Sequence, residues 1–262
     1  ENKDQASRVI ERIPLKVSEF CEQIRPMMER QPITTVNTTT NVLKVSKKIL
    51  AINRKIAEQV NVNVHKVLCH SSIVNTIANV IAGKIKQNDV VILGNSTPIR
   101  AFDQYYFSNN TIGAKIVTHR GVSGIEGFVS TARGYYHAVG GRVILVLGDV
   151  SFMHDFAALL YLRKEDNIKI IVINNQRGGL FATLPLKKYD GFLNPMVESP
   201  HDVVFSKVCA GLPVNIRYCE DVKSFERILI SALEENNKEC CLIEAFINHD
   251  DDVADHDRIK DA

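Results

Sequence analysis

From residue 67 onward the chain repeats one pattern: an apolar run of four to six residues, a short polar or glycine-bearing turn, then a stretch with helical period. Few folds accept it. Strand and helix can alternate over such a length only if each helix carries the chain back across a sheet, so that successive strands lie parallel. The runs span 90–93, 115–118, 143–147, 168–173, 214–218 and 241–246, and helices are predicted near 73–85, 125–139, 155–163, 203–210 and 222–233. The third and fourth runs are the richest in β-branched and aliphatic residues, as expected of central strands covered on both faces. The predicted fold is α/β, an open and mostly parallel sheet of about six strands with helices on both faces.

Residues 1–66 are different. They hold 12 Lys or Arg against 7 Asp or Glu and are broken by Pro14, Pro26 and a polar run from Thr34 to Asn41. They read as a linker or the end of a preceding domain, with one helix over about 42–59, where Val42, Val45, Ile49, Ile52 and Ile56 recur near helical spacing. The expected division is therefore 1–66 and 67–262. The Asp250-Asp251-Asp252 run near the C-terminus reads as a solvated polar tail. The chain starts at Glu1 without methionine, so more sequence is expected upstream.

Composition excludes several classes. With 32 Lys plus Arg against 30 Asp plus Glu there is no field for non-specific nucleic-acid binding, so any bound anion needs a local site. Cys21, Cys69, Cys209, Cys219, Cys240 and Cys241 show neither a CxxC pair nor regular spacing, which indicates reduced thiols rather than a zinc site or disulfide framework. No stretch approaches the roughly 18 apolar residues of a membrane span. A cytoplasmic protein is expected.

In open parallel sheets, ligands sit beyond the carboxyl ends of the strands. Here those ends carry Gly94-Asn95-Ser96, His119-Arg120-Gly121, Gly148-Asp149-Val150-Ser151 and Asn174-Asn175-Gln176-Arg177-Gly178-Gly179. An aspartate after a strand is often only a helix cap. Asn175, however, follows Asp149 by one helix and one parallel strand, so both oxygens reach neighbouring strand ends. Magnesium takes such hard oxygen ligands together with substrate phosphates. Ser151 and the helix start beside it offer hydroxyl and N–H donors to the same phosphates.

Gly148-Asp149, an interval of 26 residues from Asp149 to Asn175, and Asn174-Asn175 together resemble the fingerprint of thiamine diphosphate and magnesium-dependent decarboxylases and carboligases. The strings from Gly148 to Asp155 and from Asn174 to Pro185 are similar to the 2-succinyl-5-enolpyruvyl-6-hydroxy-3-cyclohexene-1-carboxylate synthase family of menaquinone biosynthesis. Gly94-Asn95-Ser96-Thr97-Pro98-Ile99-Arg100 and Arg120-Gly121-Val122-Ser123-Gly124-Ile125-Glu126-Gly127 resemble two further motifs of that family. The resemblance implies its diphosphate-binding domain, in a transferase with thiamine diphosphate and Mg2+ (or Mn2+) as cofactors.

By that resemblance, Asp149, the Asn175 side chain and the Arg177 carbonyl ligate the metal. Ser123, Ile125, Gly148, Val150, Ser151, Gly178, Gly179 and Leu180 complete the cofactor site. Ser96, Arg100 and Arg120 bind substrate carboxylates, with Leu180, Phe181 and Leu184 as the apolar wall. The implied substrates, 2-oxoglutarate and isochorismate, are dicarboxylates, for which arginine forks are suited. No acid–base residue is assignable in this chain. The activating glutamate belongs to a pyrimidine-binding domain that nothing here matches, so the fragment is expected to be incomplete without that domain, in the same longer chain or a partner subunit, and to act in a homo-oligomer, dimer or tetramer. Another 2-oxoacid decarboxylase or synthase, or a non-catalytic domain that kept the fold, stays open as an alternative.

Each residue also has a plainer reading. Without the motifs, Arg100 and Arg120 read as surface ion-pair partners; Ser96 reads as a helix cap, Gly178-Gly179 as an ordinary turn, and His154 as a structural residue. Against the family pattern, His119 and Ala157 replace asparagines and Glu126 replaces aspartate. Arg177 stands where glycine is usual, and strain is expected there if the turn needs a positive φ.

Overall fold

The computed structural model describes residues 67–82, 84–106, 115–189, 191 and 196–260. The chain divides into two compact units, Glu1–Arg54 and Lys55–Ala262. All described residues lie in the second. The expected helix over 42–59, the boundary at 66 and Cys21 lie outside them.

In chain order the described elements are α1 (His70–Ile81), β1 (Val90–Leu93), α2 (Thr97–Tyr105), β2 (Lys115–Thr118), α3 (Phe128–Val139), β3 (Val143–Gly148), α4 (Asp149–His154), a 3-10 turn (Phe156–Tyr161) and β4 (Ile168–Asn174). Two 3-10 turns (Gly179–Thr183, Pro185–Tyr189) follow, then α5 (Phe205–Val208), β5 (Asn215–Cys219), α6 (Val222–Ala232), β6 (Cys241–Phe246) and α7 (His249–Lys260). The six strands form one sheet in the order β2-β1-β3-β4-β6-β5, with every pair parallel. Each lies within a residue of its predicted position. β3 and β4 are interior and buried along their length, whereas the edge strands β2 and β5 are partly exposed.

Strand alternation sorts the core into two layers. Val91, Leu93, Ile144, Val146, Ile171 and Ile243 face Ile73, Ile77, Phe102, Phe225 and Leu229 from α1, α2 and α6. Val90, Ile92, Leu145, Leu147, Ile170 and Leu242 face Phe128, Phe152, Leu159 and Phe205 on the other side. Gly94, just after β1, lets the chain press on β3: a Cβ there would stand 2.8 Å from the Cβ of Leu147. Among the described residues no helix is long and apolar enough to cross a membrane.

The helices depart from prediction where polar side chains act at a distance. Gly127 takes φ 76, so α3 starts at Phe128 rather than at 125. Asp155 does not open a helix over 155–163. It accepts the Ser130 N–H (2.8 Å) and hydroxyl (3.1 Å), capping α3, and the segment splits into α4 and a 3-10 turn. α2, with Pro98 in its first turn, was not foreseen. The expected polar tail is corrected to α7: Asp250 and Asp251 are solvent-exposed, but Asp252 packs against the start of α1.

Candidate functional site

The strand order reverses between β1 and β3, since the chain leaves β1 outward to β2 and returns to place β3 on the other side. Ligands of open parallel sheets bind at this crevice. It opens into a cavity of about 470 Å³, walled by the four turns singled out in the sequence. Ser96 and Arg100 come from the start of α2; Arg120, Ser123 and Ile125 from the turn after β2; Gly148, Asp149, Val150 and Ser151 from the β3–α4 junction; Asn175, Arg177, Gly178, Gly179, Leu180 and Phe181 from the turn after β4. Leu184 is 40% exposed and lies outside the cavity wall.

Asp149 is the buried charge of the site, 4% exposed. Its Oδ1 accepts the Val150 N–H (2.7 Å), and its Oδ2 accepts those of Asn175 (3.1 Å) and Arg177 (3.2 Å). The Arg177 N–H is shared with the amide oxygen of Asn175 at 3.1 Å. One backbone donor thus draws the carboxylate and the amide together. No lysine or arginine among the described residues pairs with Asp149; the group facing it is His201, with Nε2 at 3.4 Å from Oδ2. His201 Nδ1 accepts the Val203 N–H, so a neutral ring carries its proton on Nε2, toward Asp149. A buried carboxylate with an amide oxygen beside it and only an imidazole N–H opposite is a hard-oxygen set suited to a divalent cation. Among the described residues no cluster of three His, Cys, Asp or Glu offers a rival metal site.

The turn after β4 does not strain Arg177. The left-handed residue is Gln176, φ 59, whose N–H is taken by Asn174 Oδ1 at 3.0 Å. The Arg177 guanidinium leans toward Glu198, 3.6 Å away, whose side chain is 3% exposed. The Arg177 carbonyl accepts the Gly179 N–H at 3.0 Å. A Cβ at Gly179 would lie 2.4 Å from Asn175 Nδ2, so a side chain there would displace the Asn175 amide.

Arg100 and Arg120 are exposed and form no salt bridge among the described residues; Arg100 Nη1 donates to the Ser96 carbonyl at 2.7 Å. Ser96, with φ 71, precedes α2, but its side chain makes no capping bond. The residue lines the cavity. Sequence reasoning missed Asn95, although it lies inside a quoted motif. Its Nδ2 holds the turn after β2 through the carbonyl of Gly124 (2.6 Å), while its Oδ1 is buried with no hydrogen-bond partner among the described residues. Also missed was Glu244, wholly buried on β6, which accepts from Asn174 Nδ2 (2.7 Å) and from the N–H groups of Phe205 (2.9 Å) and Ser206 (2.7 Å). A glutamate inside an apolar strand was the available signal.

Residues 101–245 match the family described as thiamine pyrophosphate enzyme, C-terminal TPP binding domain. Among curated proteins the chain is similar to three named 2-succinyl-5-enolpyruvyl-6-hydroxy-3-cyclohexene-1-carboxylate synthase. The protein from Chlorobium phaeovibrioides is 31% identical over 68% of this chain and 30% of its own length. That from Leuconostoc citreum is 39% identical over 47% and 23%, and that from Staphylococcus epidermidis 35% over 54% and 25%. The chain therefore spans less than a third of the length of these relatives. The family match takes in every cavity-wall turn except Asn95–Arg100, and covers more than half of the sequence. The chain belongs to the thiamine pyrophosphate enzymes, as their C-terminal TPP-binding domain.

Proposed function

We propose that this chain is the cofactor-holding part of a cytoplasmic 2-succinyl-5-enolpyruvyl-6-hydroxy-3-cyclohexene-1-carboxylate synthase. That enzyme joins a four-carbon unit, from decarboxylation of 2-oxoglutarate, to isochorismate. The reading is carried by one observation: Asp149 and Asn175, drawn together by the Arg177 N–H, share a switch-point cavity with Arg100 and Arg120, which have no carboxylate partner among the described residues. When bound, thiamine diphosphate supplies the electron sink for decarboxylation and carbon–carbon bond formation.

This chain's own residues bind and orient. Asp149, the Asn175 amide oxygen and the Arg177 carbonyl hold Mg2+ (or Mn2+), and the turn from Gly148 to Ser151 with Gly178 and Gly179 takes the diphosphate. Ser123 and Ile125, from the turn after β2, bear on the cofactor's rings. Arg100 and Arg120 pair with substrate carboxylates, Ser96 adds a hydroxyl donor, and Leu180 and Phe181 keep water from one side. Residues 1–66 are assigned to the end of a middle domain and its linker, and 67–262 to the cofactor domain. The pyrimidine-binding domain is supplied by the rest of a longer chain or by a partner subunit, in a homo-oligomer.

The test is calorimetry and turnover on the protein from its natural source. Thiamine diphosphate is expected to bind only with Mg2+ or Mn2+, and Asp149→Ala to weaken it at least 100-fold; equal affinity in the variant would overturn the metal site. Arg100→Ala and Arg120→Ala are each expected to raise the KM for an acidic substrate about tenfold or more. Unchanged turnover of 2-oxoglutarate in both would overturn the dicarboxylate assignment.

A further inference from the structure

His70 opens α1 at the edge of the cavity. It is 6% exposed and is the one imidazole among the described residues of the cavity wall. Asp252, from the first turn of α7, grips it twice: Oδ1 accepts the His70 backbone N–H and Oδ2 faces ring Nδ1, each at 2.8 Å. The ring cannot turn without losing that contact. Burial alone would push the Asp252 carboxyl up, but the His70 ring and N–H more than offset it and hold the group below the usual range, as a carboxylate. An ionised carboxylate only accepts, so Nδ1 carries the proton and Nε2 is left with a lone pair in the neutral ring. No hydrogen bond among the described residues uses Nε2.

The arginines of the wall, Arg100, Arg120 and Arg177, donate and never accept, which suits carboxylates. A hydroxyl is different: it donates as well as accepts, and a fixed imidazole nitrogen can meet it in either ring state. The product named for the relatives carries a 6-hydroxy group beside its carboxylate. We propose that His70 is a substrate-contacting residue whose Nε2 hydrogen-bonds the hydroxyl of the hydroxylated acid that enters the cavity, with Asp252 as its positioning residue. The inference rests on the synthase reading above and deepens it, assigning His70 to isochorismate rather than to 2-oxoglutarate, which has no hydroxyl.

The test is titration calorimetry on the full-length, cofactor-loaded protein with isochorismate, and separately with glutarate, an unreactive dicarboxylate lacking a hydroxyl. His70→Asn keeps an amide N–H near the Nδ1 position for Asp252 but places nothing at Nε2. It is expected to weaken isochorismate about fivefold or more beyond any effect on glutarate, with melting within a few degrees of wild type. His70→Gln, whose amide reaches the Nε2 position, is expected to recover most of that affinity. Asp252→Ala is expected to weaken isochorismate in the same sense, and its loss should not add to that of His70→Asn in the double variant. Equal losses for both ligands, or full affinity in His70→Asn, would overturn the inference and leave the synthase reading standing. Failure of the wild type to bind isochorismate would overturn that reading and the inference with it.

Discussion

Ser96, Ser123 and Gln176 are the three described residues other than glycine with positive φ (71, 61 and 59°), and all three sit in turns that build the cavity. Each such conformation costs on the order of 1 kcal/mol and persists where surrounding bonds over-determine it. This decides how Arg177 should behave. Because the left-handed residue is its neighbour, Arg177→Gly relieves no strain. It does leave Glu198 buried without its guanidinium, and it frees the backbone of the unfolded chain. The expected outcome is a loss of about 2 kcal/mol in urea unfolding; a gain would mean that the arginine is the strained residue. Gly179→Ala should act in the opposite place, pushing the Asn175 side-chain amide off the Arg177 N–H through the 2.4 Å contact. We expect Mg2+-dependent binding of thiamine diphosphate to fall at least tenfold with the sheet intact by circular dichroism. At this scale the lining of the cavity was largely legible, because polar residues confined to strand ends have few structural duties. The residues that hid are those whose duty depends on a distant partner: Asn95 on the turn after β2, Glu244 on α5, His70 on α7.

Strands were legible as elements because burial on both faces demands uninterrupted apolar runs, and a strand's side chains alternate whatever its neighbours are. Helix ends were not, because capping is non-local here. Asp155 serves α3, 25 residues earlier, instead of its own segment. α6 is the exception: Asp221 accepts the Ser224 N–H at 2.9 Å, a local cap in plain view of the sequence. Asp221→Ala is therefore expected to lower the urea midpoint with an unchanged slope; Asp221→Asn should recover most of it. α7 could not be read at all from hydrophobic period. It docks through polar side chains, Asp252 on His70, Asp255 on Ser71 and Cys69, and His256 on Tyr105 at 3.2 Å. A run of aspartates with no apolar stripe looks like solvated chain until those partners are known.

At the scale of the molecule, the cysteines that composition marked as thiols set the alkaline limit of stability. Burial pushes Cys69 and Cys209 up to about 11 and Cys219 and Cys240 up to about 12, and raises Cys241 as well, from an ordinary value of 9.0. Between pH 9 and 11 the unfolded chain has lost these protons while the folded chain keeps them. Folded protein then binds more protons than unfolded, so stability falls as pH rises, by up to about 1.4 kcal/mol per pH unit for each thiol. Lys169 opposes this. Wholly buried in β4 with Nζ donating to the carbonyls of Asn237 and Glu239, it is pushed down to about 8 by burial. Between pH 8 and about 10.5 the folded lysine is neutral and the unfolded one charged, which makes stability rise with pH over that window. One lysine does not offset five thiols, so the net slope from pH 9 to 10.5 is downward. We expect the urea midpoint to fall steadily over that range, and Cys219→Ala to flatten the fall by about 1.4 kcal/mol per pH unit at most. A midpoint that rises with pH there would mean that the lysine dominates and that the thiols are already ionised in the folded protein.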